Sequence, residues 1–369
     1  MKRFVFFVGA VAMIAVLHIL PLAAQDAQLL LQHAAVVTWA GWSPDESLIL
    51  TTSEDSSARV WDAGTGELAR IYHHTAPVRG GIWNADGTRF MTWSEDGAVS
   101  LWLVDMDEPL LTILQPVTAR GARWSAEEDR ILTWGGGAEA IVWSAAGERL
   151  LRLAHSADVG YADWSLQDAH ILTFSIDGAA YVWDAATGEQ LQAYDFGGSV
   201  LGAAWSRDEN RLMTWSMGRG VQLWQPPRQS PLVTLPHRTF VEGAAFSADE
   251  SRILSWSADD TVKLWDANTG ESLISLSHID WVEGAAFNAD ESRIVSWAYD
   301  SVFLWQADGA KLAEFRHDLL VTGAAWNRSE SQILSWSWDG TARVWDSLNL
   351  SPIIVPTPKP QQGQGPGDV

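Results

Sequence analysis

Residues 237–277 read HRTFVEGAAFSADESRILSWSADDTVKLWDANTGESLISLS. Short apolar stretches, VEGAAF, RILSW, TVKLW and SLISL, are separated by SADES, SADD and DANTGE, whose Asp, Ser, Asn and Gly favour tight turns. The segment predicts four short antiparallel strands, here called a to d. Neither this segment nor the rest of the chain shows helical periodicity, so the protein is predicted to be all-β.

Outward from this unit the pattern recurs along the chain. Trp61, Trp102, Trp143, Trp183, Trp224, Trp265, Trp305 and Trp345 repeat every 40 or 41 residues. An aromatic also recurs earlier in each unit, at Trp42, Trp83, Trp124, Trp164, Trp205, Phe246, Phe287 and Trp326. A four-stranded sheet this small cannot cover both of its faces, and packing each copy between two others in a ring solves that problem. Twenty of the 23 tryptophans occupy three periodic slots, and we assign those to packing between blades. Small residues such as Gly243, Ala244 and Ala245 suit strand a to the crowded inner edge.

The endings KLWD at 263–266, ARVWD at 58–62 and 342–346, and YVWD at 181–184 resemble the WD40 repeat, and the resemblance covers residues 27 to about 355. It implies an eight-bladed WD40-type β-propeller with four antiparallel strands per blade. It also implies a hydrogen-bonded set in each unit, made by a His before strand a, a Ser or Thr in strand b, an Asp in the b-to-c turn and the Trp of strand c. Six units match all four positions: His33, Thr51, Asp55 and Trp61; His74, Thr92, Asp96 and Trp102; His155, Thr173, Asp177 and Trp183; His237, Ser255, Asp259 and Trp265; His278, Ser296, Asp300 and Trp305; His317, Ser335, Asp339 and Trp345. In the third and fifth units Gln115 and Phe196 replace the His, and Gly137 and Gly218 replace the Asp. The joint loss is what pairing predicts, since a buried polar group without its partner is costly and losing both is nearly neutral.

Two segments compete for the last outer strand. Gln28–Gln32 precedes His33 as d strands precede the other His residues, whereas SPIIV at 351–355 resembles SPLVT at 230–234. Pro352, Pro356 and Pro358 weaken the second, so closure by the N-terminal strand is expected. Residues 1–24 read as a signal peptide or signal anchor: Lys2 and Arg3, an apolar run from Phe4 to Leu20, then Pro21 and small residues. Either reading places residues 25–355, the propeller, outside the cytoplasm, periplasmic, extracellular or anchored to the membrane. Residues 356–369, PTPKPQQGQGPGDV, have nothing to bury and are expected to be a disordered tail.

With 24 Lys plus Arg against 46 Asp plus Glu the formal charge is −22, a field that repels nucleic acid. The chain has no cysteine, which removes disulfides and thiolate chemistry. Signatures of hydrolase, zinc, phosphate-loop and EF-hand sites are missing, so no enzyme activity, cofactor or metal is expected. Acidic pairs in the a-to-b turns, Glu127 with Glu128, Asp208 with Glu209, Asp249 with Glu250 and Asp290 with Glu291, have the oxygen chemistry of a Ca²⁺ site. Solvated turn residues are the simpler reading.

A binding role is sought where the sequence departs from its own repeat. In the WD40 family the d-to-a and b-to-c loops share one face, the top, where partners dock. In units six to eight these loops carry Phe240, Trp281, Tyr299, Leu320 and Trp338, the most aromatic arc of the ring. Five residues after the His slot, Arg79 and Arg120 stand opposite Glu242 and Glu283, which predicts a polarised channel mouth. Trp39 and Tyr161 replace glycine in strand a and are expected to fill the axis. The leading expectation is a monomeric scaffold that binds a protein or peptide through its top face. The alternative is a propeller hydrolase or glycan-binding protein with its site at the channel mouth.

Overall fold

The computed structural model describes residues 26–350 except 177, 196–199, 227 and 229. Its strands form eight four-stranded antiparallel sheets. In seven blades the strands follow chain order, a to d. The eighth takes strands a to c from Val321–Trp326, Gln332–Ser337 and Thr341–Asp346, and its outer strand from Leu29–Gln32. That strand pairs antiparallel with Thr341–Asp346, Leu29 opposite Val344 and Gln32 opposite Thr341, so the N-terminal strand closes the ring. The competing segment 351–355, the leader 1–24 and the tail 356–369 lie outside the described residues. Each strand a lies beside strand a of the next blade, and the eighth lies beside the first.

The apolar core is divided into eight clusters, each shared by two adjacent blades. One holds Val295, Val302, Leu304 and Phe315 of blade seven with Val321, Ile333 and Trp345 of blade eight. This is the burial that a lone sheet lacks, and at roughly 25 cal/mol per Å² a single buried indole contributes several kcal/mol to it as an upper bound. Strand a carries glycine because the strand b indole lies across it: a Cβ on Gly243 would sit 2.1 Å from Cζ2 of Trp256. Blades one and four carry an aromatic in place of that glycine. Trp39 stands opposite Thr52, and Tyr161 stands opposite Phe174 with the rings stacked at 5.6 Å. Trp39 and Tyr161 therefore do not fill the axis as expected. Both are half-buried between blades, Trp39 against the clusters on either side of blade one and Tyr161 against Trp134.

In every blade the a–b ladder skips the second residue of strand a, a β-bulge. The skipped residues are Thr38, Arg79, Arg120, Gly160, Leu201, Glu242, Glu283 and Thr322. A bulge frees a residue from the ladder and re-aims its side chain, and here it repeats at the row expected to line the channel mouth.

At the opposite end, the acidic pairs are more than solvated turn residues. Where the first acid is Asp it caps its own turn: Asp249 accepts from Ser247 Oγ at 2.8 Å and from the Ser251 N–H at 3.0 Å. The second stands at positive φ and reaches back to the preceding blade. Glu128 accepts from the Ala85 N–H at 2.6 Å and pairs with Arg89 at 2.8 Å, while Arg89 lies over the Trp124 ring. Glu250 and Glu291 repeat this clasp on Arg207 and Arg211, and on Ala248 and Arg252. Glu46 carries it across the ring closure, accepting from the Ser329 N–H at 3.0 Å. The clasp is missing between blades one and two, where Pro44 has no N–H and Gly87 has no carboxylate.

Candidate binding face

The hydrogen-bonded sets hold the loops of this face. All eight strand c tryptophans donate Nε1–H to the strand b hydroxyl, at 2.7–2.9 Å. In blade one, His33 Nε2 meets Thr51 Oγ1 at 2.7 Å and Nδ1 meets Asp55 at 3.0 Å. Burial pushes the His33 imidazole down to about 4, against the pull of Asp55, so it is neutral at pH 7. A neutral ring that donates Nδ1–H to a carboxylate must accept at Nε2. The hydroxyl therefore donates to His33 while accepting from Trp61. Asp55, held down to about 2 by hydrogen bonds from Ser57, the Ala34 N–H and His33 against its own desolvation, also pairs with Arg59 at 3.0 Å. Blades six and eight repeat the His–Asp contact at 3.0 Å.

The sets of blades two and seven depart from the pattern. In blade two His74 holds Thr92 at 2.7 Å, but Asp96 turns to Thr75 Oγ1 at 2.6 Å. In blade seven His278 holds Ser296 at 2.8 Å, and Asp300 bonds Ser301 instead. Blade seven is one residue short here: nine positions separate Ser296 from Trp305 where ten separate Ser255 from Trp265. Its b-to-c turn is reduced to Tyr299 and Asp300, with Ala298 paired to Ser301 and Tyr299 at φ 51°. Asp177 of blade four lies outside the described residues, as does Phe196 of blade five. A sequence signal for the complete set exists two residues before the strand c tryptophan. Arg59, Lys263 and Arg343 occupy that position where His meets Asp, whereas Ser100 and Phe303 occupy it in blades two and seven.

These braces position the aromatic arc. Phe240 and Trp281 meet edge to face at 4.9 Å. The backbone carbonyl of Phe240 accepts from Ser257 Oγ at 2.8 Å, which ties the d-to-a loop to the b-to-c turn. The carbonyl of Tyr299 accepts from the Val321 N–H at 2.6 Å, and the Trp338 N–H donates to Leu320 at 2.9 Å, so Tyr299, Leu320 and Trp338 gather over the junction of blades seven and eight. Trp281, Tyr299 and Trp338 are 39, 54 and 53% exposed, while Phe240 and Leu320 are half-buried beneath them. Ile279 and Leu319, which the sequence reading missed, extend the apolar surface.

The channel mouth is less evenly polarised than the row of residues suggested. Arg79 pairs with Glu54 at 2.7 Å and with Glu95, and Arg120 reaches Asp158 at 3.4 Å, around a cleft of ≈ 610 Å³. Glu242 and Glu283 have no cation beside them among the described residues. Burial and the neighbouring Glu283 raise the Glu242 carboxyl, and burial and Asp280 raise that of Glu283. The described residues hold no group of three or more His, Asp or Glu arranged to bind a metal ion.

Eight radial four-stranded sheets closed by the N-terminal strand define an eight-bladed β-propeller. A WD40 family model, described as WD domain, G-beta repeat, matches residues 27–62, 229–266 and 309–346. Taken with the eight-bladed ring, these matches make the chain a WD40-repeat β-propeller. It is similar to the crystal structure of the computationally designed Ika8 protein, with a TM-score of 0.77 and 22% identity over 87% of this chain and 100% of that one, a likeness of fold alone. No curated protein matches the sequence. The WD40 propeller family is typically non-catalytic, and its architecture suggests a protein-interaction scaffold.

Proposed function

We propose that this propeller is a non-catalytic scaffold outside the cytoplasm that binds a protein or peptide through its top face. The observation that carries the reading is the arc itself. Phe240, Trp281, Tyr299, Leu320 and Trp338 are not required by the repeat, yet they stand together on three consecutive blades with three aromatic side chains open to solvent. Exposed aromatic clusters of this kind mark binding surfaces, where Trp and Tyr carry a large share of the affinity. The propeller-hydrolase alternative would rest on Glu242 and Glu283, and the described residues place no group of three His, Asp or Glu there that could hold a metal ion.

The test is a selection of phage-displayed peptides on the immobilised protein, followed by binding of the synthetic peptides to Trp281→Ala combined with Trp338→Ala. Loss of about 30-fold in affinity, roughly 2 kcal/mol, is expected if the two rings are anchors. Unchanged binding by the double variant would remove the arc from consideration. Export is tested separately by fusing residues 1–24 to alkaline phosphatase, whose activity outside the inner membrane supports the placement and whose confinement to the cytosol rejects it.

A further inference from the structure

Resting on that reading, we infer that the arc takes a basic peptide, with a lysine or arginine side chain seated where Phe240 and Trp281 border Glu242 and Glu283. The first ground is charge. On the far side of the mouth both guanidinium groups are already committed, Arg79 to Glu54 and Glu95 and Arg120 to Asp158. Among the described residues of this row, two guanidinium groups therefore meet three carboxylates, whereas Glu242 and Glu283, beside the aromatic arc, have no ion-pair partner.

The second ground is desolvation. Glu242 and Glu283 are half-buried side by side at bulge positions of adjacent blades, so each loses hydration without gaining a counter-charge, the Trp281 indole N–H being the one donor that reaches Glu242. Their raised carboxyls record that cost. A neutral apolar partner lying on Trp281 would bury these carboxylates further with nothing to offset the loss, and an acidic one would meet repulsion from a chain of charge −22. A cationic side chain answers both charges. The third ground is the rings. Trp281 is the part-exposed indole of the pair, its polar edge faces Glu242, and an aromatic face next to a carboxylate suits a guanidinium or ammonium through cation–π attraction.

The experiment uses phage-displayed random dodecapeptides selected on the immobilised full chain, then fluorescein-labelled peptides titrated by anisotropy. The selected peptides are expected to carry Lys or Arg beside an apolar residue. Replacing that Lys or Arg by Gln, or placing Glu242→Gln with Glu283→Gln in the propeller, should each weaken binding at least about tenfold. The two changes made together should do little more than either alone. The melting temperature of the Gln variant, expected to be no lower than that of the parent, shows that the fold is intact. Peptides that lack a basic residue and ignore Glu242→Gln with Glu283→Gln, yet fail on Trp281→Ala with Trp338→Ala, overturn the basic-peptide inference and leave the arc as the site. Peptides indifferent to both pairs of substitutions overturn both. A selection that yields no binder overturns the inference as well.

Discussion

A single hydroxyl serves two buried groups in blade one: Thr51 Oγ1 meets His33 Nε2 at 2.7 Å and accepts from Trp61 Nε1 at 2.8 Å. In blade three the equivalent Thr133 receives only Trp143, also at 2.8 Å. Thr→Val keeps the shape and deletes the hydroxyl, so the cost counts the partners left behind. We expect Thr51→Val to destabilise by about 2–4 kcal/mol and Thr133→Val by about 1–2 kcal/mol, measured by urea unfolding; equal costs would mean that the histidine adds nothing to the set. The same histidines set the response to acid. His33 and His278 are pushed down to about 4 by burial, below the 6.5 of an unfolded chain. Between pH 6.5 and 4 the unfolded chain binds protons that the folded one refuses, so stability must fall as pH falls through that window. Two such groups give a slope approaching about 2.7 kcal/mol per pH unit. His74, His237 and His317 shift the same way, while the raised Glu242 and Glu283 oppose the trend in the carboxylate range. Thermal melts at pH 7, 6, 5 and 4 check the direction, and a flat profile from 7 to 5 contradicts it.

Between elements the informative feature is the clasp from one a-to-b turn to the next, together with its gap at Pro44 and Gly87. A Cβ on Gly87 would lie 3.1 Å from Pro44 Cδ, so Gly87→Glu alone crowds the proline and finds no donor. Pro44→Ala supplies the donor, and its combination with Gly87→Glu should be more stable than the two single effects predict, with a coupling of about 0.5–1 kcal/mol in a denaturation cycle. Additivity within error would show that the clasp is decorative. The strands, the tryptophan slots and the shared hydroxyls are legible in the sequence because the packing that demands them repeats with the chain. The clasp was not, since a glutamate that reaches back about forty residues to the preceding blade looks in sequence like part of its own turn. The bulges were hidden because a ladder that skips one residue leaves no mark in composition. Asp300 matched the pattern by type but misses His278 because one residue is absent after it, a signal present in the spacing and visible once geometry gives it meaning. In the candidate site, the aromatic arc could be read from departures between copies, whereas the pairing of Arg79 and Arg120 with local acids depends on side-chain reach.

At the scale of the ring, the N-terminal strand covers the outer edge of blade eight and buries Leu31 in the cluster shared with blade one. Leu31→Asp places an unpaired charge there, and we expect a loss of at least about 3 kcal/mol, read as a lower urea midpoint with the binding face otherwise unchanged. A midpoint within error of the parent would show that the other seven blades hold the ring without this contact. The closure also has a temporal side. Gln28 bonds Asp346, a partner 318 residues later, so the earliest segment of the propeller to be synthesised is among the last to find its place. At roughly 5–20 residues per second that is tens of seconds during which blade eight does not exist and the waiting segment needs protection from wrong pairing. Moving Leu29–Gln32 to follow Asp346 by circular permutation should therefore speed refolding while leaving equilibrium stability nearly unchanged, because it shortens the search without altering the destination.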